Sequence, residues 1–450
     1  MGSGTPVLVS PAHIVFLLYG SRGDIQPGIC LATELLRRGH RVTAVVPPNL
    51  VDLVASAGVP TVYPVGRDTD RQWSSDTALD AQRSRNPLTK ARFALDTVVD
   101  GIRSFDDGLI RLFVDADPTT GKPPVHDVDR LVVAPICQAR GMALADRLGV
   151  VLTVLRFAPM SPNSWYGPVP GVADGLGPRA TRAAWRAYNS VVWSSTRHGE
   201  NRFRRRIGLA TMHRPCPDRL AARRIVQIQA YDPAIVPGLG DEWGSLKPII
   251  GFLDLAAQDR RHLTEVSGHD TDLTAWLADG SAPVYVGFGS MPIADPDRIS
   301  EIFCSVAAES GLRLILALGG RPGRDPQHPD VYHVGAVDHS WLFPQCAVVV
   351  HHGGAGTTAA VLRSGTPGVI YAFTAEQPFW ANRIAALGVG VGRRFSALSR
   401  ETVGEDLRVV IGDGIRDAAR EFAAQMVTPQ QAVATAAELV EERSRALATP

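Results

Sequence analysis

The sequence predicts an α/β protein with two doubly wound, parallel-sheet domains that face each other across a cleft. Three observations carry this prediction: a length of 450 residues, a strand–loop–helix–strand unit near the N-terminus, and a second series of such units after residue 247. Domains hold about 100–200 residues each, so the length favours two or three of them. Sheets of this kind bind ligands beyond the carboxyl ends of their strands, which places the expected site between the two halves.

The first half begins with a β-α-β unit. Residues 13–18 and 41–46 are apolar runs of strand length. Between them, the turn-rich segment 20–24 leads into a helix that we expect to begin near Gln26, with Pro27 in its first turn. Further elements are predicted as strands at 130–133 and 150–155, a helix at 141–148 between them, and a basic helix at 181–207.

The alternation of strands and helices restarts after a segment rich in glycine and proline, 231–247, which we interpret as a linker. The expected strands are 283–288, 313–318, 347–350 and 368–371. The expected helices are 296–311, one that ends at residue 363, 378–387, and a helical tail over 402–447. The chain therefore reads as two α/β halves of similar size.

Composition and charge exclude several classes of protein. Apolar residues form 45% and charged residues 20% of the chain, as in globular proteins. The 46 basic residues nearly balance the 45 acidic ones, which argues against a general nucleic-acid binder. The five scattered cysteines include no C-x-x-C pair, so neither a disulfide framework nor a zinc ribbon is supported. Without an apolar run of membrane-spanning length or a signal-peptide pattern, we expect a cytoplasmic protein.

A glycine-rich loop carries the strongest chemical signal. The strand at 347–350 leads into His351-His352-Gly353-Gly354-Ala355-Gly356-Thr357-Thr358 and then directly into a helix. Small residues allow a ligand to approach the backbone, and the free N–H groups of a first helical turn favour an anion. Only three of the basic residues are lysines. A diphosphate site that uses uncharged N–H and hydroxyl groups instead of lysine side chains therefore suits this chain. The spacing fits neither G-x-G-x-x-G nor a Walker A loop.

These residues resemble a known family. The loop 351–358, with Gly365-Thr366-Pro367 and the segment 375–383 after it, is similar to the donor-site signature of family 1 glycosyltransferases. Gly20-Ser21-Arg22-Gly23-Asp24-Ile25-Gln26-Pro27 and Trp341-Leu342-Phe343-Pro344 resemble the branch that contains sterol glucosyltransferases and bacterial antibiotic and glycolipid glycosyltransferases. The motifs cover much of the C-terminal half and the first fifty residues, while the segment 68–231 matches only loosely.

The resemblance implies the GT-B fold, two facing Rossmann-like domains with an interdomain cleft. It implies an N-terminal acceptor-binding domain over 1–232, a donor-binding domain over 247–430, and a last helix over 431–450 that packs back on the first domain. The implied reaction moves a hexose or deoxyhexose from a UDP- or dTDP-sugar co-substrate to a hydroxyl group, with inversion and without a bound cofactor. The expected acceptor is lipophilic: a sterol, terpenoid, macrolide or polyketide.

An inverting displacement needs a base for the acceptor proton. Many relatives have a histidine in a Gly-His-x-x-Pro loop, where this chain has Asp24, as the antibiotic branch does. An exposed aspartate is a weak base, and burial under an apolar acceptor would raise its pKa. The alternative is that Asp24 only caps the helix that follows.

The resemblance assigns roles to further positions. His352, Gly354, Ala355, Gly356 and Thr357 would contact the donor diphosphate, together with Ser290 across the loop. Glu376 and Gln377 would bind sugar hydroxyls, although Glu376 could also be a helix N-terminal acid. The nucleoside should lie near Val334 and Val337. Arg22 either reaches a phosphate or is a surface arginine. The D-x-D matches are too short a motif to carry weight, so no metal is expected.

Three questions stay open at this stage. The arginine-rich stretch 179–224 is either a solvated helix, which we favour, or a peripheral contact with an anionic membrane. The protein could be a glycolipid-forming transferase or a catalytically silent partner that binds a sugar nucleotide. The intact Asp24, His352 and Glu376-Gln377 disfavour the silent partner. The acceptor, the sugar, the choice between UDP and dTDP, and the oligomeric state are undetermined.

Overall fold

Two parallel β-sheets organise the molecule, one in each half of the chain. The computed structural model describes residues 10–69, 103–169, 177–255, 271–289, 291, 293, 295–319 and 321–447. The first sheet has six strands in the order β3-β2-β1-β4-β5-β6, and the second has seven in the order β13-β12-β11-β7-β8-β10-β9. The predicted α/β class with two doubly wound sheets is therefore confirmed.

All strand pairs of the N-terminal sheet are parallel. Its strands are β1 His13–Leu17, β2 Arg41–Val46, β3 Thr61–Pro64, β4 Arg130–Val133, β5 Val151–Arg156 and β6 Gln227–Gln229. The strand order reverses direction at β1, since β2 lies on one side and β4 on the other. This is the point at which doubly wound sheets open a crevice for a ligand.

The C-terminal sheet is parallel except for its short β9–β10 edge. Its strands are β7 Val284–Gly287, β8 Leu314–Ala317, β9 Gly323–Arg324, β10 Val331–His333, β11 Val348–His351, β12 Gly368–Ala372 and β13 Gly390–Arg394. Strand β11 is central and has apolar side chains that are fully buried, because helices cover both faces of the sheet.

Helices connect the strands and cover the sheets. In the N-terminal half they are α1 Arg22–Arg37, α2 Val51–Ser56, α3 (described over 103–113), α4 Gln138–Leu148, α5 Pro178–Arg206, α6 Cys216–Ala222 and α7 Leu239–Trp243. In the C-terminal half they are α8 Thr271–Ala278, α9 Pro296–Ser310, α10 His339–Leu342, α11 Ala355–Ser364, α12 Gln377–Ala386, α13 Arg400–Val410, α14 Asp413–Gln425 and α15 Pro429–Leu447. Short 3-10 turns lie at Pro48–Leu50, Pro135–Cys137, Pro233–Ile235, Gly244–Leu246, Phe343–Gln345 and Phe395–Ala397.

Helix α1 begins earlier than predicted. Ser21 is its N-cap, and Pro27 lies inside the helix rather than in its first turn. The prediction was wrong because it treated proline as a start signal. A capping interaction between Ser21 and Asp24 fixes the start four residues upstream of Gln26.

The segment interpreted as a linker is folded and buried. It contains α7 and two 3-10 turns, and the side chains of Tyr231 and Leu239 are fully enclosed. They belong to a core cluster that also includes Phe379 and Trp380 from α12, so the segment packs on the C-terminal half. The glycines and prolines in this stretch therefore mark tight turns between short helices, and the compositional signal for a linker was misleading.

Two segments cross between the halves, and one carboxylate joins them. Asp232, in the first crossing, is fully buried. Its Oδ1 accepts the N–H of Ala234 (2.9 Å), and its Oδ2 accepts the N–H of Val427 (2.8 Å) in the second crossing. Gly251 has φ +100°, and a Cβ there would lie 2.8 Å from Val427, so close backbone approach is required at this point.

The last helix, α15, packs on α1 of the N-terminal half. Glu441 binds Arg38 Nη1 (2.9 Å) and His40 Nε2 (3.0 Å), and Ala436 and Ala437 are buried against the same core as β1. The helix therefore returns to the first half after the chain has completed the second. Within the described part of the chain, no helix is both long and apolar enough to cross a bilayer.

Candidate active site

A cleft of about 2420 Å³ lies between the two halves and is lined by both. Every predicted site residue that the structure describes lines this cleft. They are Arg22, Asp24, Val334, Val337, His352, Gly354, Ala355, Gly356, Thr357, Glu376 and Gln377. Ser290 lies outside the described residues, and its neighbour Gly289 lines the cleft. Motifs separated by more than 300 residues therefore meet in one cavity.

The glycine loop presents a helix N-terminus to this cleft. Gly353 takes φ +87°, and Gly354 is the N-cap of α11. The N–H groups of Ala355, Gly356 and Thr357 form the first turn, where helical geometry supplies no backbone acceptor. Thr358 is buried and donates its hydroxyl to the Gly354 carbonyl (2.9 Å), so of the two threonines only Thr357 can face a ligand. The helix terminus is thus arranged to bind an anion.

The His352 ring lies in a space that two glycines create. A Cβ at Gly354 would be 2.5 Å from His352 Nε2, and one at Gly289 would be 3.0 Å from its Cε1. Burial lowers the pKa of His352 to about 4, and His339 nearby contributes to the shift. Its Nδ1 is buried and has no hydrogen-bond partner among the described residues. A polar atom left in this way at a cleft is suited to a ligand oxygen.

His351, one residue earlier, has a different environment. It is fully buried, and its Nδ1 accepts the N–H of Gly353 (3.2 Å). Burial lowers the pKa of His351 well below the usual value, so it remains neutral and supports the turn.

His339 is a site residue that sequence reasoning missed. It lies on α10, stacks on Phe343 with ring centroids 4.4 Å apart, and lines the cleft. Burial lowers its pKa to about 4, and the charge of Arg22 from the opposite half adds to the shift. Three imidazoles and one guanidinium thus gather around the glycine loop. His339 stands just before Trp341 in the sequence, but a single histidine has no spacing that marks it as a site residue.

Asp24 combines a capping role with a position in the cleft. Its Oδ2 accepts the N–H (2.8 Å) and the hydroxyl (3.0 Å) of Ser21. Burial raises the pKa of the carboxyl, and the two bonds from Ser21 oppose that rise. Both of these hydrogen bonds use Oδ2, and Asp24 also lines the cleft. The two roles considered from the sequence are therefore compatible in one carboxyl group.

Glu376 faces Asp24 from the other half of the molecule. Burial raises the pKa of Glu376 to about 7, and the nearby charge of Asp24 raises it further. Glu376 is the N-cap residue of α12, and its side chain makes no capping bond. Ala375, just before it, has φ +57°, a strained value for a residue with a Cβ. Two carboxyl groups on opposite walls thus point into a shared space.

The Gln377 side chain mainly stabilises the loop that precedes it. Its Oε1 accepts the N–H groups of Phe373 (2.8 Å) and Thr374 (3.2 Å), and its Nε2 contacts the Met291 sulfur at 3.6 Å. The side chain is buried, so only the amide NH₂ group can be offered to a ligand.

Apolar side chains form much of the N-terminal wall of the cleft. Its lining includes Phe105, Ile136, Phe157, Met160, Val169, Trp185, Tyr188, Val192 and Trp193. Ile136 is 69% exposed and Val169 is 44% exposed, although both are large apolar side chains. Exposed apolar groups gathered on the wall of a concave site indicate a hydrophobic ligand. Sequence reasoning placed no acceptor contact here because the residues come from separate loops and α5.

Five of the twelve arginines in the stretch 179–224 form ion pairs with carboxylates in the described part of the protein. Arg204 binds Asp146 (2.7 Å), Arg206 binds Asp107 (2.6 Å), and Arg219 binds Glu200. These ion pairs attach α5 and α6 to the rest of the N-terminal half.

No group of three or more metal-ligating side chains occurs in the part of the chain that the structure describes. The arrangement described above is an anion-binding helix terminus beside two acidic groups and an apolar chamber. Chemically, it can hold a diphosphate on one wall and an apolar hydroxyl compound on the other.

Known proteins share both parts of this architecture. Residues 313–443 match the family described as erythromycin biosynthesis protein CIII-like, C-terminal domain, and residues 14–98 match the glycosyltransferase family 28 N-terminal domain. An uncharacterized glycosyltransferase of Mycobacterium bovis is 35% identical over 429 residues, covering 95% of this chain and 98% of that protein. A sterol 3-beta-glucosyltransferase of Arabidopsis thaliana is 30% identical over 392 residues, covering 85% of this chain and 58% of the plant protein.

Solved structures agree on the fold. The calicheamicin glycosyltransferase CalG4 superposes with a TM-score of 0.64 at 17% identity, covering 97% of this chain and 99% of that one. The glycosyltransferase VinC, solved in complex with dTDP, gives 0.59 at 17% identity, covering 96% and 100%. Two facing Rossmann-like sheets around a cleft define the GT-B class of enzymes. Within that class, this chain belongs to the glycosyltransferases, and it is similar to a sterol glucosyltransferase and, over residues 313–443, to the erythromycin biosynthesis protein CIII-like family.

Proposed function

We propose that this glycosyltransferase moves a hexose or deoxyhexose from a UDP- or dTDP-sugar to a hydroxyl group of a lipophilic acceptor, with inversion at the anomeric carbon. The observation that carries the proposal is the pairing of an anion-binding helix terminus on one wall of the cleft with an apolar chamber on the other. In this proposal residues 1–232 hold the acceptor, residues 247–430 hold the donor, and the last helix joins the two halves.

The donor diphosphate lies on the glycine loop. The N–H groups of Ala355, Gly356 and Thr357 donate to its oxygens, and the helix dipole stabilises the charge that grows on the leaving group. The buried, unpaired Nδ1 of His352 supports a further contact. Arg22, which reaches His339 electrostatically from the opposite half, adds positive charge at the same point. The nucleoside then lies toward Val334 and Val337, and Ser290 faces the phosphates across the loop.

Asp24 accepts the acceptor proton, and Glu376 and Gln377 hold the sugar. Burial raises the pKa of Asp24, which makes its carboxylate a better base than an exposed one. Glu376 accepts hydrogen bonds from sugar hydroxyls when it is ionised, while the Gln377 NH₂ group donates. Glu376 approaches Asp24 closely enough to affect its own pKa, so the anomeric carbon would lie near the base.

The acceptor class follows from the apolar wall. A sterol, terpenoid, macrolide or polyketide would bury its rings against Trp185, Tyr188 and Val192. The same wall would accept a glycolipid precursor, and exposed Val191 on α5 would then lie near a membrane surface. Only the identity of the acceptor distinguishes a natural-product transferase from a glycolipid-forming one, because both use the same chemistry at Asp24.

The test is release of nucleoside diphosphate from UDP- and dTDP-sugars in the presence of a panel of lipophilic hydroxy compounds, with products identified by mass. We expect turnover that Asp24→Asn reduces by about 10²–10⁴-fold. Asparagine can still accept the Ser21 N–H, so the thermal midpoint should change little.

The matched control is Asp295→Asn, at an exposed helix N-cap outside the cleft. Asparagine caps a helix as well as aspartate does, so this control should keep wild-type turnover. Unchanged turnover in Asp24→Asn would show that Asp24 is only a cap. Absence of turnover in the wild type, with tight donor binding, would favour the catalytically silent partner.

A further inference from the structure

One buried positive charge on the N-terminal wall of the cleft has no carboxylate partner among the residues that the structure describes. Arg156 is the last residue of β5, is 4% exposed, and lines the cleft. The carboxyl end of a parallel strand is where this fold presents side chains to ligands. Arg156 therefore has the position of a binding residue together with the burial of a core residue.

All the hydrogen-bond partners of Arg156 in the described chain are neutral. Nε donates to Gln227 Oε1 (3.0 Å), Nη2 to Gln138 Oε1 (2.7 Å), and Nη1 weakly to the Met160 carbonyl (3.4 Å). No carboxylate among the described residues forms an ion pair with it. A guanidinium has five N–H groups, so one on each terminal nitrogen remains for another acceptor.

Other buried arginines of the same half are paired differently. Arg140 binds Asp106 (2.8 Å), Arg204 binds Asp146, and Arg219 binds Glu200. Buried charges are normally compensated in this way, because an uncompensated one loses its hydration without an attractive interaction in return. Among the described residues, these three arginines thus have carboxylate partners and Arg156 has none.

A second cation increases the positive potential near Arg156. The amino group of Lys247 is half-buried, donates to the Pro162 carbonyl (3.3 Å), and lies 4.8 Å from the centre of the Trp243 ring. Burial lowers the pKa of Lys247 to about 8, with repulsion from Arg156 as the next cause and Glu242 opposing. Glu242 itself is occupied by Ser164 and Arg182. The region therefore attracts an anion from the cleft.

The surroundings determine what kind of anion fits. Phe157, Met160 and Pro162 line the cleft beside Arg156, so the ligand must also have an apolar body. In the sheet, β4 alone separates β5 from β1, the strand that leads to the Asp24 loop. With strands about 4.8 Å apart, the axes of β1 and β5 are on the order of 10 Å apart.

We propose that Arg156 binds an oxyanion of the acceptor, so that the preferred acceptors are lipophilic hydroxy acids rather than neutral alcohols. The carboxylate would lie at the end of β5 while the reacting hydroxyl lies at Asp24, on the order of 10 Å away in the same chamber. This inference rests on the proposed acceptor site. The bidentate geometry of a guanidinium suits a carboxylate and fixes the orientation of the apolar body.

The experiment compares two probes of nearly equal shape, 6-hydroxy-2-naphthoate and its methyl ester, by calorimetric binding to the full chain. We expect the wild type to bind the acid at least tenfold more tightly than the ester. Arg156→Gln should remove that preference, and Arg156→Lys should keep part of it. The control Arg182→Gln removes one positive charge from an exposed arginine outside the cleft, and it should keep the full preference.

The outcomes separate this inference from the proposed function. Equal or tighter binding of the ester by wild type would overturn the inference, whatever the stability of the variants. An acid preference that survives in a folded Arg156→Gln would overturn it too and would leave Arg156 as a cross-link between β5, β6 and α4. Nucleoside diphosphate release with neutral hydroxy acceptors tests the proposed function independently, because Arg156 has no part in that chemistry.

Discussion

A methyl group added at Gly354 should disable the donor site through His352. The backbone of Gly354 has φ −63° and ψ 142°, which alanine adopts without strain, so the effect of Gly354→Ala is purely one of contact. The new Cβ would lie 2.5 Å from His352 Nε2, and a carbon and a nitrogen in ordinary contact are about 3.5 Å apart. The ring must therefore move by about 1 Å.

The space around His352 sets the size of the effect. Gly289 also packs against the ring, because a Cβ there would lie 3.0 Å from Cε1. A displacement of about 1 Å in a positioning group can cost about 10²-fold in rate. That factor corresponds to about 2.7 kcal/mol of lost transition-state stabilisation. We expect kcat/KM for the donor sugar to fall by this amount, mainly through the diphosphate contact.

The assay is steady-state release of nucleoside diphosphate, with thermal unfolding followed in parallel. Gly414→Ala is the control, since Gly414 also lies at the N-terminal end of a helix and a Cβ there meets nothing within 4 Å. It should keep full activity and gain up to about 1 kcal/mol of stability. The steric reasoning is wrong if Gly354→Ala retains kcat/KM within twofold of the wild type. It is also wrong if the losses in kcat/KM of Gly354→Ala and His352→Ala add up in the double variant.

Three further expectations concern charge and packing. Because the folded-state pKa of Glu376 is about 7 and the unfolded value is lower, its ionisation reduces stability as the pH rises through about 7. Glu376→Gln should therefore stabilise the protein more at pH 8 than at pH 5 in thermal unfolding. In the wild type, kcat/KM for the donor should increase with pH over the same range, and Glu376→Gln should remove this increase. Arg140→Met leaves the buried Asp106 carboxylate without its ion-pair partner, so the free energy of unfolding in urea should fall by about 3–5 kcal/mol. The double variant Arg140→Met with Asp106→Leu should recover most of that loss. Truncation after Thr428 removes α15 and uncovers the apolar side of α1. We therefore expect a lower thermal midpoint and more binding of a dye that detects exposed hydrophobic surface. The control, truncation after residue 447, should change neither quantity.

The parts of this fold that sequence predicts well are those whose signals are local. Buried parallel strands such as β1 and β11 are continuous apolar runs, and their carboxyl ends predict where loops meet. For the same reason the sequence predicts that the glycine loop and Asp24 lie at one cleft, and both line it. Short edge strands such as β3 and β6 were missed because three or four residues carry too little periodicity.

The parts that sequence misses depend on contacts between distant segments. His339 lines the cleft together with Arg22 of the other half, whose charge helps to lower its pKa, and this proximity has no signal in the sequence. The significance of Arg156 appears only when its neighbours are seen to be Gln138 and Gln227 rather than carboxylates. Likewise, Gln377 has the expected position, but its carbonyl oxygen is occupied by the Phe373 and Thr374 N–H groups. Identity and spacing predict position, while the availability of an atom depends on tertiary packing.

The Asp232 junction has a mechanical consequence for the enzyme. Since both crossings between the halves pass within hydrogen-bond reach of one carboxylate, they form a double attachment rather than a single tether. Two adjacent attachments allow the halves to bend about the line through them and restrict other relative rotations. Any opening that admits a bulky acceptor should therefore change the width of the cleft while it preserves the lateral alignment of Asp24 with Glu376.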